Sequence, residues 1–308
     1  MKLIQDFNDI KISQPTILTI GTFDGVHRGH QQIIQQIQNR ARQKQALSAV
    51  LSFHPRPKTV LRPQLGSYDY LTTATERIDL FIELKLDLLL LIPFTIELSQ
   101  LIAYQFMAHL KKYLNLIELW AGHDFALGKG RSGNIERLQE LGTIFDYTVH
   151  EIEPYLMAEE LISSTRIRQL LTDGQVEMAG ELLGRYPMIQ GQVEQGEQRG
   201  RTIGFPTANL DIPPERLLPA NGVYATWFTR QKNQQTYPSV TNIGIRPSFN
   251  GHNRTVESYI FDFDEDIYDE TCRLDFVSRL RPEKKFDDLE SLIQQIQADA
   301  DQARLILV

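Results

Sequence analysis

Between Ile17 and Ile152 short apolar runs alternate with amphipathic segments, and no other feature constrains the fold of this chain as strongly. The runs are ILTIGTF (17 to 23), AVLSF (49 to 53), LDLLLLIPF (86 to 94), IELWAG (117 to 122) and FDYTVHEI (145 to 152). Their near-continuous apolar character suits strands buried on both faces, the pattern of a parallel sheet covered by helices. Between them Ile33, Ile34, Ile37 and Ala41 recur at helical spacing, as do Leu101, Phe106, Leu110 and Leu114, with a less regular set at Leu80, Ile82 and Leu84. These predict crossover helices.

The stretch STRIRQLLTDGQVEMAGELLG reads as one more helical segment ending on Gly184, and beyond it the texture changes. Short β-type runs follow, broken by Gly, Pro and Asn: YPMIQGQVEQ, VYATWFTR, TYPSVTNIG, TVESYIFDF and CRLDFVSRL. Such spacing predicts a small antiparallel barrel or sandwich. Leu289, Leu292, Ile293, Ile296 and Ala300 then form one stripe, predicting a terminal helix packed on it. The expected architecture is an α/β domain over 1–184 and a β domain over 185–308.

Composition removes several function classes. With 39 acidic against 32 basic side chains the net charge is -7, and neither half is basic on balance. A broad nucleic-acid surface needs a clustered basic face, so no nucleic-acid partner is expected. The single Cys272 cannot close an intramolecular disulfide, and the start MKLIQDFNDI has no apolar signal core. The longest apolar run is too short for a bilayer. A cytoplasmic protein acting on small molecules, without membrane, as a monomer or weak homo-oligomer, is the expectation.

The stretch GTFDGVHRGHQQII joins the end of a buried strand to an amphipathic helix, with His27 and His30 three residues apart at the helix start. That spacing puts both imidazoles on one face, where backbone amides and the helix dipole favour phosphate. Gly25 and Gly29 let backbone and ligand approach closely. In ISSTRIRQLL, Ser163, Ser164 and Thr165 offer cap hydroxyls before a helix, and Arg168 can fork onto phosphate oxygens. Isolated histidines or a lone capped helix would be ordinary surface features. Together they suit nucleotidyl transfer, in which positioned donors stabilise charge on phosphate.

GTFDGVHRGH and ISSTRIR resemble the signature motifs of the adenylyltransferase half of bacterial bifunctional riboflavin kinase/FAD synthetases. The resemblance implies a Rossmann-like nucleotidyltransferase domain that joins AMP from ATP to FMN, giving FAD and pyrophosphate. It implies that His27 and His30 contact the ATP phosphates, that Gly21, Phe23, Asp24 and Gly25 bind nucleotide, and that Ser164, Thr165 and Arg168 hold the triphosphate from the other side. The loop GHDFALGKGRSG (122 to 133) resembles the family's Gly-Asp/Asn-Phe segment and places Asp124 near the flavin or nucleotide. One departure stands out: the family's Phe-x-Pro-His-Pro segment reads FHPRP here, with Arg56 where histidine is expected and an extra His54. Arg56 either supplies a permanent cation, marks a weakened adenylyltransferase, or sits in a proline loop without chemistry.

In the second half, GRTIGFPTANLDIP (200 to 213) sets Gly200 and Gly204 beside Thr207 and Asn209. The glycines free the backbone to wrap phosphate, and a Thr hydroxyl beside an Asn carbonyl gives neutral oxygen ligands suited to Mg²⁺. In TVESYIFDF, period-two alternation puts Glu257 with Tyr259, Phe261 and Phe263, opposite Val256, Ser258, Ile260 and Asp262. If the Glu257 face lines the barrel interior, desolvation makes the carboxylate a better proton acceptor.

GRTIGFPTANL, NGVYA, TNIGIRPSF and TVESYIFDF resemble, in order, the motifs of the riboflavin kinase domain. The resemblance implies that Thr207 and Asn209 bind Mg²⁺ and ATP phosphates and that Glu257 deprotonates the ribityl 5′-hydroxyl. Arg246, with Pro247 and Phe249, is expected on a flavin-side loop. Riboflavin, FMN, FAD and ATP are the expected substrates and products. A riboflavin kinase with a weakened first domain is the alternative, and a non-catalytic flavin sensor a more distant one.

Overall fold

The computed structural model describes residues 1–65, 69–153, 155–157, 160–196, 200, 203–248 and 251–308. They divide into two compact units, one of residues 1–68 and 73–163, the other of residues 69–72 and 164–308.

The first unit is a parallel sheet of β1 (Lys2–Ile4), β2 (Thr16–Ile20), β3 (Leu47–Phe53), β4 (Leu88–Ile92), β5 (Leu116–Gly122) and β6 (Thr148–Ile152), in the order β1-β4-β3-β2-β5-β6. The helices α1 (Arg28–Lys44), α2 (Pro57–Leu61), α3 (Ala74–Glu83), α4 (Ile96–Ser99), α5 (Ala103–Leu114) and α6 (Ile135–Phe145) lie between strands. Leu18, Leu51, Leu90 and Leu119 are fully buried beneath Met107 and Leu110 of α5, as strands covered on both faces require. The strand order reverses between β2 and β5, and loops beyond the strand ends at such a switch are where open α/β sheets bind ligands. Both the histidine turn, after β2, and the 122–133 loop, after β5, leave the sheet there.

β1 and α6 are not among the predicted elements. β1 pairs with β4 through Lys2↔Leu88 to Ile4↔Leu90, but three residues carry too little pattern to read. α6 lies between the 122–133 loop and the last strand, where no element is predicted. Asn134 caps it by accepting from Arg137 N at 3.0 Å, and Leu138 and Leu141 are its buried contacts. Phe145 thus ends a helix, and the last strand starts at Thr148.

The hairpin strands β7 (Leu156–Met157) and β8 (Glu160–Leu161) close the first unit. The expected single helix over 164–184 is two, α7 (Ser164–Thr172) and α8 (Val176–Leu183), because Gly174 takes φ 78° and turns the chain. Both cluster with the second unit, where Glu177 of α8 accepts from Ser278 Oγ at 2.6 Å. That unit is a closed barrel of β9 (Met188–Glu194), β10 (Thr207–Asp211), β11 (Gly222–Arg230), β12 (Thr236–Ser248), β13 (Gly251–Ile260) and β14 (Thr271–Arg281), in the order β10-β13-β12-β11-β14-β9.

The barrel interior holds Tyr224, Phe228, Ile243, Leu274 and Phe276, with Thr226, Ser239, Thr241 and Ser258 hydroxyls bonded to one another among them. A terminal helix, α9 (Leu289–Ile306), packs Ala300 and Ala303 against Val223, Ala225 and Val240 on the outer face. It is fastened by a two-pronged bond from Arg281 to Asp299, with Nη2 to Oδ2 at 2.8 Å. Leu292, Ile293 and Ile296 of the expected stripe are half-buried, whereas Leu289 is exposed.

Candidate active sites

In the first unit, β2 stops at Ile20 rather than Phe23. Phe23, Gly25 and Val26 take φ of 46°, 85° and 40°, a left-handed turn that no strand continues through. His27 then stands at the N-cap of α1. The rings of His27 and His30 stack with centroids 3.6 Å apart, and the Phe23 ring lies 4.8 Å from His30. The expected common face is therefore present, with His27 only 6% exposed. A Cβ on Gly29 would come within 3.3 Å of His27 Nδ1, so this glycine makes room for the imidazole rather than for ligand. Gly21 continues the sheet by donating to Leu51 O at 3.0 Å.

Asp24, one of the expected nucleotide residues, is 1% exposed and its Oδ2 lies 3.0 Å from Arg56 Nη1. Arg56, at the N-cap of α2, thus reaches the signature turn with a charge-assisted bond. Arg77 of α3, a residue without any sequence signal of function, is fully buried. Its Nη1 donates to Thr22 O at 3.0 Å, Ser52 Oγ at 3.1 Å and Phe53 O at 3.0 Å. It ties the ends of β2 and β3 together beneath the turn. Asp124 is exposed on the loop after β5, where its carbonyl accepts from Arg131 Nη2 at 2.8 Å. The neighbouring His123 ring is held above its ordinary range by its hydrogen bond to Glu151 at 2.5 Å.

Ser164, Thr165 and Arg168 lie in α7 of the second unit, Ser164 and Thr165 in its first turn. Arg168 Nε donates to Asp69 O at 2.8 Å, which fixes the arm of the guanidinium.

In the barrel, Thr207 and Asn209 lie on β10, whose backbone is taken by β9 and β13 on both edges. Asn209 pairs directly with Glu257, and Glu257 with Asn242 on the next strand. Directly opposed residues share a face, so Asn209, Glu257 and Asn242 form a row across three strands. Thr207, Tyr259 and Val240 form the next row. Asn242 belongs to a motif read from sequence, yet its register beside Glu257 becomes visible only in the ladder.

The face that carries Glu257 is the outer one. Val256, Ser258 and Ile260 point into the barrel, at 2%, 0% and 6% exposure, so the condition that the Glu257 face lines the interior is not met. Its half-burial comes from the 281–286 segment and α9, which cover this face and enclose a cavity of about 300 Å³ lined by Thr207, Asn242, Glu257, Tyr259, Arg281 and Phe286. Thr207 also borders a second cavity, about 370 Å³, at the barrel end beside Pro206, Ala208, Ile260 and Phe263. Gly200 O accepts from Phe205 N at 2.8 Å, and Gly204 has φ 87°. Arg246 pairs with Asn253 through its backbone. Its side chain, and Phe249, lie outside the described residues.

Residues 9–166 match the FAD synthetase family model and residues 183–307 the riboflavin kinase model. A bifunctional riboflavin kinase/FMN adenylyltransferase of Listeria monocytogenes is 35% identical over 94% of this chain and 91% of its own. The chain belongs to the bifunctional riboflavin kinase/FMN adenylyltransferase family. The family member of Escherichia coli K12 is 33% identical over 99% of this chain and 97% of its own. A solved protein of Streptococcus pneumoniae, described as a macrolide-efflux protein, is 33% identical, covers 98% of each chain and has a TM-score of 0.88. That two-domain architecture is therefore shared along the whole length, whatever the description of that protein.

Proposed function

We propose that riboflavin phosphorylation runs across Thr207, between the two cavities it borders. The ribityl end of riboflavin enters the cavity with Glu257, and the nucleotide enters from the barrel end. The observation that carries this is the row Asn209–Glu257–Asn242 beside Thr207, which sets a carboxylate among neutral donors and acceptors at one wall of a closed-in cavity. Glu257 takes the 5′-hydroxyl proton as that oxygen bonds to the γ-phosphorus and the bond to the departing ADP oxygen breaks. Positioning and electrostatics carry most of such a transfer. Thr207 Oγ1 and Asn209 Oδ1, on one face of β10, are the neutral oxygens that suit Mg²⁺; when bound there it would draw negative charge from the phosphates.

The chain then adenylylates FMN. A phosphate oxygen of FMN bonds to the α-phosphorus of ATP and pyrophosphate departs. His27, His30 and the amides at the start of α1 are assigned to the polyphosphate, with Ser164, Thr165 and Arg168 assigned to it by motif. Gly21, Phe23, Asp24 and Gly25 are assigned to the nucleotide, Asp124 and Arg246 to the flavin side. The bond between Arg56 and Asp24 supports an intact first domain over a kinase alone. The functional division is assigned near Gly184, since the two family models end at 166 and begin at 183. No helix among the described residues is long and apolar enough to cross a membrane, and the enzyme is assigned to the cytoplasm as a monomer or weak homo-oligomer on small-molecule substrates.

Incubating the purified chain with riboflavin and Mg-ATP tests the reading. FMN is expected first and FAD after it. FMN without FAD would support the kinase-only alternative, and neither product would refute both.

A further inference from the structure

The segment FDFDEDIYDE (261 to 270) carries six acids in ten residues, and it lines the barrel-end cavity through Phe263, Asp264, Glu265 and Asp266. An acidic wall is a poor neighbour for an anionic nucleotide. Arg230, the last residue of β11, answers it. Its side chain is 7% exposed, and it grips Glu270 with Nε to Oε2 at 3.0 Å and Nη2 to Oε1 at 2.9 Å. Nη1 reaches Glu265 at 2.6 Å, and the guanidinium carbon lies 5.7 Å from the centre of the Phe263 ring. Lys232 adds a weaker charge 3.8 Å from Glu270.

One guanidinium therefore holds three residues of one loop. The loop needs holding, because Asp262 and Asp269 both have positive φ, 53° and 62°, a conformation L-residues other than glycine adopt at some cost. Asp262 is clasped separately by Arg304 of α9, at 2.9 and 3.0 Å. The Arg230 bond also keeps the Glu270 carboxyl below its ordinary range, so that it stays charged and the grip persists.

We propose that Arg230 is a positioning residue for the nucleotide of the kinase reaction, fixing the 261–270 loop as a wall of the barrel-end cavity and offsetting the charge of Glu265, one of the three carboxylates that line it. The proposal rests on the assignment of that cavity to the nucleotide. Arg230 touches no reacting atom; it acts through Glu265, Glu270 and Phe263.

The test is initial-rate kinase kinetics on the full chain, with ATP and riboflavin varied separately. Arg230→Gln is expected to raise the KM for ATP about tenfold, while kcat and the KM for riboflavin stay within about twofold. Adding Glu270→Gln restores a neutral amide pair and is expected to bring the ATP KM back to within about threefold of the parent. Equal rises in both KM values, an unchanged ATP KM, or a double variant no better than the single would overturn the proposal. Arg230→Lys keeps the charge without the fork and carries the same test, at about a threefold rise in ATP KM, if the glutamine variant does not fold. Thr207→Ala in parallel separates the two levels: if it leaves the kinase untouched, the cavity assignment fails, whatever Arg230 does.

Discussion

In the sheet unit the residues we assign to phosphate sit beyond a strand end, on or after a turn where Phe23, Gly25 and Val26 all have positive φ. In the barrel they sit within strands, and Asn209, Glu257 and Asn242 are aligned by the hydrogen-bond ladder itself. The difference is in what supplies precision. A ladder fixes its side chains through many backbone bonds, so exchanging one side chain leaves its neighbours in place. A turn depends on the side chains below it, here Arg77 binding Thr22 and Phe53 carbonyls and Arg56 binding Asp24. The barrel site should therefore fail residue by residue, and the turn site should also fail from beneath.

The largest effects should divide cleanly. Glu257→Gln is expected to lower the kinase rate by about 10² to 10⁴ and leave FAD formation from supplied FMN nearly unchanged. His30→Ala should lower FAD formation by about 10² to 10³ and spare the kinase. Steady-state assays of both reactions on both variants check this, and an equal loss of the two activities would break the comparison.

Next comes the support beneath the turn. Arg77→Met removes donors from Thr22 O, Ser52 Oγ and Phe53 O in a fully buried place, at a cost of about 2–4 kcal/mol in the stability of the first unit. Thermal unfolding followed together with adenylyl transfer should show both falling while the kinase holds. A barrel substitution of similar kind, such as Asn242→Ala, should change kinase activity without moving the melting temperature comparably.

The smallest effect sharpens the role of Arg56. Arg56→His puts a titrating cation where a permanent one stands. An imidazole is charged below about pH 6.5 and neutral above it, so adenylyl transfer by the variant should decline by about three- to tenfold as pH rises from 6 to 8. The parent chain lacks that component. Matching pH–rate profiles for the two would show that the charge of Arg56 takes no part.

Much of this architecture is legible in the letters, for reasons that also mark the limits. Strands such as 88–92 are apolar on every residue because both faces are covered, and that signal survives without coordinates. Three-residue β1 depends on the edge of a neighbouring strand, which no window of sequence contains. β10 carries no strand pattern because Thr207, Asn209 and Asp211 are polar and glycine and proline precede them; its partners β9 and β13 make it a strand. The alternation of Glu257 with Tyr259 is visible in sequence, but alternation does not say which face is inside, and the inner one is that of Ser258. Arg77 and Arg230 carry no local signal at all, since an arginine on a helix or at a strand end is usually solvated. Their roles come from what the fold brings to them.

If barrel and sheet hold separate sites that act in sequence, two disabled chains should complement each other when mixed. Glu257→Gln alone should make FAD from riboflavin and Mg-ATP at least about 10²-fold more slowly than the parent, and His30→Ala alone should accumulate FMN with FAD formation slowed by about 10² or more. Together they should convert riboflavin through free FMN to FAD, at a rate that rises with the concentration of either chain. A mixture that accumulates FMN and no FAD, or that makes neither product, would contradict the division of labour between barrel and sheet.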